Sequence, residues 1–320
     1  MNTQVAVSVV CNVYNHGPYL RDALEGFVTQ KTTFPFEVLI HDDASTDESA
    51  EIIREYEEKY PELIFPIYQT ENQYSRKVPI NMTYQIPRIR GKYVAVCEGD
   101  DYWTDPEKLQ KQVDFLDAHG DYTLCACSTV WLNMASGAKL NKCQTDVDRD
   151  VSLEEIINEK NGRVFQYATI VVRSELFCQR PDWMSHFGVG DTPLMIRAAS
   201  SGKIRMLADV MAVYRFQAEG SWTSRFFNNP QQRIASFSRI IDGLERFNVA
   251  TGGRYDSIIT RRVNQLRYHI ARYNQDFHAM RTGELRQVWL SRSVTGRLSD
   301  MVACKFPKLQ TAIRQKLGRI

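Results

Sequence analysis

Short, almost continuously apolar runs alternate with helical periodicity over the first 120 residues. Val5-Ala-Val-Ser-Val-Val-Cys11 and Glu37-Val-Leu-Ile-His41 have the character of strands buried on both faces. Between them Leu20, Leu24 and Phe27 recur at helical spacing after Pro18, which predicts a β-α-β unit. A second helix is expected over 48–60, with Ile52, Ile53 and Tyr56 inward and Pro61 as its stop. Strands near 63–67 and 93–97 follow, then a helix over 108–118 preceded by Asp105 as N-cap and Pro106 at the first helical position. Residues 121–215 are less regular, with strands expected near 123–130, 164–172 and 204–213. Asn228-Asn-Pro230 then interrupts the chain, and 231–290 shows helical periodicity, as at Ile234, Phe237, Ile240, Ile241 and Leu244. The pattern predicts an α/β fold with a mainly parallel, helix-covered sheet over 1–225 and a helical region over 226–320.

Composition adds limits. The chain of 320 residues exceeds the ~100–200 of one typical domain, and 43% apolar with 24% charged residues is a globular balance. No apolar run approaches the ~18 residues that span a bilayer, and the amino terminus lacks the basic start and apolar core of a signal peptide, so a cytoplasmic location is expected. The seven cysteines are odd in number and mostly lie in apolar runs, which suits reduced thiols. Cys125 and Cys127 share a strand face, but no second ligand pair follows to hold zinc.

Charge is polarised along the chain. From 261 onward there are 13 Lys and Arg against 3 Asp and Glu, or +10; the total of +2 leaves −8 for the first 260 residues. Trp289, Leu290, Val294, Leu298, Met301, Val302 and Phe306 lie among those cations, the composition of basic amphipathic helices that rest on anionic lipid. A packed helix or a dimer contact is the alternative, and no nucleic-acid reader motif accompanies the basic residues.

The most informative chemistry is in Tyr93-Val-Ala-Val-Cys-Glu-Gly-Asp-Asp-Tyr-Trp103, where an apolar strand runs into the adjacent carboxylates Asp100 and Asp101. Neighbouring carboxylates stay ionised together only if a cation, water or donors offset their repulsion, and a divalent metal carrying a diphosphate does so. The first strand ends in Cys11-Asn-Val-Tyr-Asn-His16 and the second in His41-Asp-Asp-Ala-Ser-Thr-Asp47, and parallel strands bring these tips to the edge that holds Asp100 and Asp101. An aromatic such as Tyr14 can stack on a base, and a carboxylate such as Asp43 can accept from a base N–H or a ribose hydroxyl. Ser45 and Asp47 are expected in an Asx or Ser/Thr turn feeding the next helix.

Three blocks carry a family resemblance: Val7-Ser-Val-Val-Cys-Asn-Val-Tyr-Asn15, Val38-Leu-Ile-His-Asp-Asp-Ala-Ser-Thr-Asp47 and Glu98-Gly-Asp-Asp-Tyr-Trp103. In order and spacing they resemble the opening of family 2 glycosyltransferases, in particular bacterial members that build surface polysaccharides. Gly188-Val-Gly-Asp-Thr-Pro-Leu194 and Val210-Met-Ala-Val-Tyr-Arg215 extend the likeness over about residues 4–225. The resemblance implies a GT-A fold and an inverting transfer from a nucleotide-sugar, a UDP-sugar being favoured over GDP and dTDP donors, to a saccharide or lipid-linked acceptor. It places Tyr14 and Asp43 at the nucleobase, Asp100 near ribose and diphosphate, Asp101 on a divalent cation (Mg²⁺ or Mn²⁺), and Asp191 as catalytic base, with N-capping as the alternative for Asp191.

Two positions depart from that family. Val13 stands where a threonine hydroxyl is usual, and Gln217 stands where His is frequent; an amide can hydrogen-bond a phosphate but does not titrate. Arg76 and Lys77 lie in a polar loop that could touch a diphosphate or simply be solvated, and Trp103 and Trp183 suit either sugar faces or core packing. His16 and His41 flank the tips as structural hydrogen-bonders. A nucleotidyltransferase or a dinucleotide dehydrogenase would need a Gly-rich loop after the first strand, which residues 11–19 lack. A non-catalytic nucleotide-sugar-binding protein is the remaining alternative, opposed by the presence of all four aspartates.

Overall fold

The apolar runs become strands with almost no face left to water. In the computed structural model, which describes residues 4–141, 143–159, 163–188, 190–217 and 229–306, β1 (Val7–Val13) and β2 (Phe36–Asp42) are buried along nearly their whole length. The chain divides into two compact units, Met1–Arg180 with Leu194–Ser224, and Pro181–Pro193 with Arg225–Ile320.

In the first unit β1 and β2 pair in parallel with β3 (Ile64–Tyr68) and β4 (Tyr93–Val96). Helices α1 (Gly17–Val28) and α2 (Ser49–Lys59) make the first two crossovers. Each buries one stripe, Leu20, Leu24 and Phe27 on α1 and Ile52, Ile53 and Tyr56 on α2. Beyond β5 (Tyr102–Trp103) and α3 (Lys108–Ala118) come β6 (Tyr122–Asn133), β7 (Lys139–Leu140), β8 (Arg149–Val151), α4 (Leu153–Asn158), β9 (Val171–Arg173), α5 (Ser174–Cys178), α6 (Asp191–Ser201) and β10 (Lys203–Phe216). The sheet order is β3-β2-β1-β4-β9-β6-β10-β5. Strand β9 is antiparallel to both β4 and β6, and β10 is parallel to β6. Strands β6 and β10 therefore run with β1, and six carboxyl ends share one edge.

Three details differ from the expected elements. Over 164–172 the chain forms a 3-10 turn at Tyr167–Thr169, and only Val171–Arg173 pairs as strand. Side chains satisfy the backbone there: Gln112 Nε2 donates to the Thr169 carbonyl (2.9 Å), and Thr169 Oγ1 donates to the Gln166 carbonyl (2.6 Å). Helix α3 spans the expected 108–118, but Glu107 rather than Asp105 stands at its N-cap and Pro106 lies before it; Asp105 Oδ1 accepts from the Glu107 amide (2.8 Å). Strand β10 runs on to Phe216, beyond the 204–213 expected, and so delivers Arg215 to the edge. Val189, residues 218–222 of the stretch leading to Trp222, Asn228 and 307–320 lie outside the described residues.

The second unit is helical. Asn229 caps α7 (Pro230–Ala250) by accepting from the Gln231 and Gln232 amides, and Pro230 fills the first helical position. The expected periodicity over 231–290 is divided at Gly252-Gly253, both at positive φ, between α7 and α8 (Asp256–Tyr273). Gly243 of α7 lies where an added Cβ would fall 2.2 Å from the Phe187 ring, and Trp183 packs on Phe247 with centroids 4.9 Å apart. Short α9 (Arg286–Ser291) and α10 (Val294–Lys305) follow. No helix among the described residues is long and apolar enough to cross a membrane. The seven cysteines are free thiols, and burial raises the Cys11 and Cys97 thiols well above their ordinary range, which keeps them protonated.

Lys108 is a buried cation in the core of the first unit. Its Nζ donates to Gln112 Oε1 (2.7 Å) and lies 4.3 Å from the Trp103 ring centroid, and burial lowers its pKa below the ordinary 10.5. The unfolded chain therefore holds a proton that the folded chain gives up earlier, so stability rises with pH in the window below 10.5. Lys108→Met removes that component. Urea midpoints of both proteins, taken from neutral pH to about 10, should show the wild type gaining on the variant as pH rises. Parallel profiles would contradict the buried-cation account.

Candidate active site

The tips of β1 and β2 are stitched to each other. After Val13 the chain turns through Tyr14, whose ring is exposed, and Asn15, which has φ 55°. The Asn15 amide donates to Ser45 Oγ (3.0 Å), and its Oδ1 accepts from the Thr46 amide (2.8 Å). The His16 and Gly17 amides, free donors at the start of α1, are taken by Ser49 Oγ and Asp47 Oδ2, each at 2.9 Å. Asp47 thus serves the neighbouring turn as well as its own, where Oδ1 accepts from the Ser49 amide (3.0 Å).

Asp43 sits beneath this junction at 2% exposure. Its amide donates to the Val13 carbonyl (2.9 Å), while Oδ1 and Oδ2 accept from the Gln73 and Tyr74 amides (2.7 and 3.0 Å). The carboxylate therefore fastens the loop after β3 to the β1 and β2 tips. Ala44 follows at φ 60°, a left-handed conformation uncommon for alanine. A π-helical turn at Asn81–Gln85 closes the same corner. Asn12 Nδ2 donates to Asn81 Oδ1 (3.0 Å), and fully buried Gln85 donates through Nε2 to the Cys11 and Leu39 carbonyls (3.1 and 3.2 Å). His41 stacks on Tyr84 (5.0 Å), and burial, assisted by Arg88 and opposed by Asp43, lowers its pKa and favours the neutral ring.

The acid turn lies beside these tips. Beyond β4 the Cys97 and Gly99 amides donate to the Val10 and Asn12 carbonyls of β1 (3.1 and 3.2 Å). Gly99 is required by close approach, since a Cβ there would lie 2.9 Å from His16 Nδ1. Asp100 is half-buried, and among the described residues nothing donates to its carboxylate. Asp101 is buried, and its Oδ1 accepts from the Arg215 amide (2.9 Å). Burial, then the charge of Asp100, push its pKa well above the carboxylate range; the Arg215 amide opposes them.

Arg215, at 5% exposure, is the counter-charge that inspection of the sequence missed. Its Nη1 donates to the Asp100 carbonyl (3.0 Å), Nη2 pairs with Asp22 of α1, and its plane lies 4.4 Å from the Tyr102 centroid. The available signal was an arginine closing the apolar run Val210-Met-Ala-Val-Tyr214, a place where a cation needs a partner. Next to it Gln217 has φ 60°.

This donor set suits a divalent cation. Among the described residues no group of three or more His, Cys, Asp or Glu gathers as a metal cage. A magnesium-like ion, however, takes one or two carboxylates and completes its shell with phosphate oxygens and water. Asp100 and Asp101 offer two adjacent carboxylates whose repulsion is incompletely offset.

Tyr14, Asp43, Asp100 and Asp101 all lie on the shared strand edge of the first unit. Asp191 opens α6 in the Pro181–Pro193 segment of the second unit, half-buried, with Oδ1 accepting from the Thr192 amide (2.7 Å). Trp103 is core: it is buried, donates from Nε1 to the Ala168 carbonyl (2.8 Å) and meets the Phe27 ring at 4.9 Å. Trp183 is likewise buried, against Phe187 and Phe247. Arg76 pairs with Glu71 in an exposed loop.

The guanidinium of Arg215 serves the acid turn through the Asp100 carbonyl and pairs with the solvated carboxylate of Asp22, so the two contacts should differ in weight. Arg215→Met, which keeps the main-chain amide to Asp101 but removes both guanidinium contacts, should cost about 3 kcal/mol. Asp22→Asn, at a solvated partner, should cost less than about 1 kcal/mol. Urea denaturation checks both, and equal losses would mean that Asp22, not the acid turn, is the main partner.

Comparison with known proteins agrees with this architecture. The family model described as Glycosyl transferase family 2 matches residues 8–173. An uncharacterized protein of Mycobacterium tuberculosis is 38% identical over 225 residues, which are 69% of this chain and 61% of that protein. Among solved structures, Staphylococcus aureus TarS 1–349 in complex with UDP-GlcNAc is similar with a TM-score of 0.57 at 16% identity, over 94% of this chain and 79% of that one. The mannosyltransferase PcManGT of Pyrobaculum calidifontis, in complex with GDP-Man and Mn²⁺, gives 0.53 at 15% identity, over 97% and 88%.

Proposed function

Since the chain belongs to glycosyltransferase family 2, we propose that it transfers a sugar, with inversion, from a nucleoside-diphosphate donor to a hydroxyl of a saccharide or lipid-linked acceptor. The donor is a UDP-sugar in the first instance, and the setting is assembly of a bacterial surface polysaccharide at the cytoplasmic face of the membrane. The observation that carries this reading is the acid turn Asp100-Asp101, held by Arg215 on the edge that also bears Tyr14 and Asp43. The fold neighbours named above are complexes with UDP-GlcNAc and with GDP-Man and Mn²⁺, which supports the donor class and leaves the base to be measured.

The chain's own residues divide the work. The Tyr14 ring, which is exposed, stacks on the base, and Asp43 accepts from a base N–H or a ribose hydroxyl. Asp101, with Asp100 beside it toward ribose and diphosphate, would hold Mg²⁺ or Mn²⁺. When bound, that ion offsets the negative charge that accumulates on the leaving β-phosphate. Arg215 keeps the turn in register so that both carboxylates face the donor. Asp191, in the first turn of α6, is assigned as the base that takes the proton from the attacking hydroxyl.

Calorimetry with UDP, GDP and dTDP, with and without Mn²⁺, tests the donor site. One nucleotide should bind tightly only with metal, and Asp101→Ala should weaken it by at least about a hundredfold. Absence of binding by all three would mean that the pair is structural. Asp191→Asn should bind the same nucleotide unchanged while donor hydrolysis slows by about 10²–10⁴; unchanged turnover would remove Asp191 from the chemistry.

A further inference from the structure

Helix α10 leaves its large aliphatic residues at the surface and turns Asp300 inward with two small residues. Val294 and Leu298 are 64% and 52% exposed, whereas Asp300, Ala303 and Cys304 are buried. Residues 294, 298, 301 and 302 fall on one helical stripe, so Met301 and Val302, both partly exposed, continue the same face. Leu290 at the end of α9 and Phe306 just past α10 are exposed as well. Asp300 can stay inside because Arg272 Nε (2.6 Å), Arg292 Nε (2.7 Å) and Tyr268 OH (2.7 Å) surround its carboxylate. The inward side is thus taken up by an ion network and two small residues, and among the described residues nothing covers the large aliphatics.

Charge identifies what covers them. Residues 281–306 contain Arg281, Arg286, Arg292, Arg297 and Lys305 against Glu284 and Asp300. Asp300 is spent inside, and Glu284 faces Arg267 (3.6 Å). The sequence from 307 to 320 adds Lys308, Arg314, Lys316 and Arg319 and no carboxylate. A second copy of this chain docking face to face would bring like charges together. An apolar stripe bordered by cations instead complements an anionic lipid surface.

We propose that α9 and α10 form a docking surface for anionic phospholipid, with Leu290, Val294 and Leu298 entering the headgroup–acyl boundary and Arg286 and Lys305 meeting phosphates. The assignment deepens the reading of a lipid-linked acceptor and takes its biological sense from it, but its test requires no sugar transfer.

The test is flotation of the full chain with vesicles of phosphatidylglycerol and phosphatidylcholine, and with vesicles of phosphatidylcholine alone. The wild type should partition onto the anionic vesicles at least about tenfold more strongly, with the advantage falling as salt is raised. The double variant Val294→Ser/Leu298→Ser should lose about tenfold or more, and Arg286→Gln with Lys305→Gln about fivefold per charge. Unchanged partition of both variants, or equal binding to neutral vesicles, overturns the proposal. Failure to bind vesicles, together with sedimentation showing a dimer that Val294→Ser/Leu298→Ser dissociates, would overturn it in favour of a second copy. UDP titrations on the same preparations separate the two readings: vesicle binding without nucleotide binding would remove the donor assignment and leave the lipid surface standing.

Discussion

A guanidinium without access to water must be fully answered by its surroundings, and in this protein Arg215 is answered by parts of the chain remote in sequence. Asp22 comes from the first crossover helix, the Asp100 carbonyl from the turn after the fourth strand, and the Tyr19 and Tyr102 rings lie at 5.2 and 4.4 Å. Its own amide closes the set by donating to Asp101. Helix α1, the acid turn and the last strand are therefore bound into one arrangement. A lysine would offer a single point charge there, whereas the planar fork of arginine can engage a carbonyl, a carboxylate and two rings together.

Around that arrangement the edge is built before any ligand arrives. Asp43 holds the loop after β3 through two amides, Gln85 ties β1 to β2 by their carbonyls, and Asn15 and Ala44 are both fixed in left-handed conformations. Such positions cost on the order of 1–3 kcal/mol each where the residue is not glycine, and they persist because neighbouring bonds over-determine them. A surface prepared in this way spends less binding energy on ordering itself when a ligand is seated.

Much of this architecture was legible in the chain because burial leaves a compositional trace. The continuous apolar runs at 5–11, 37–41 and 93–97 could only be doubly covered strands, and parallel pairing carried Tyr14, Asp43, Asp100 and Asp101 to one edge without further information. What escaped notice was held by side-chain to backbone bonds between distant segments, which have no period. Gln112 and Thr169 turned an expected strand into a 3-10 turn, and Gln85 is an ordinary polar residue until the Cys11 and Leu39 carbonyls are in place. Arg215 was visible as a letter but not as a partner, because its counter-charges lie more than a hundred residues away. Nothing in the local pattern distinguishes Lys108 from a solvated lysine, yet it is enclosed.

The exchange of caps between the first two turns has a consequence for how this protein can change. Ser45, Asp47 and Ser49 complete the start of a helix whose own sequence supplies no cap, and Asn15 returns the favour to Thr46. Residues 14–17 and 44–49 therefore form one inheritable module despite the intact helix and strand between them. A chimera that imports either turn from a relative without its counterpart would misplace the other, so recombination breakpoints within residues 18–43 should be the least tolerated in the amino-terminal half.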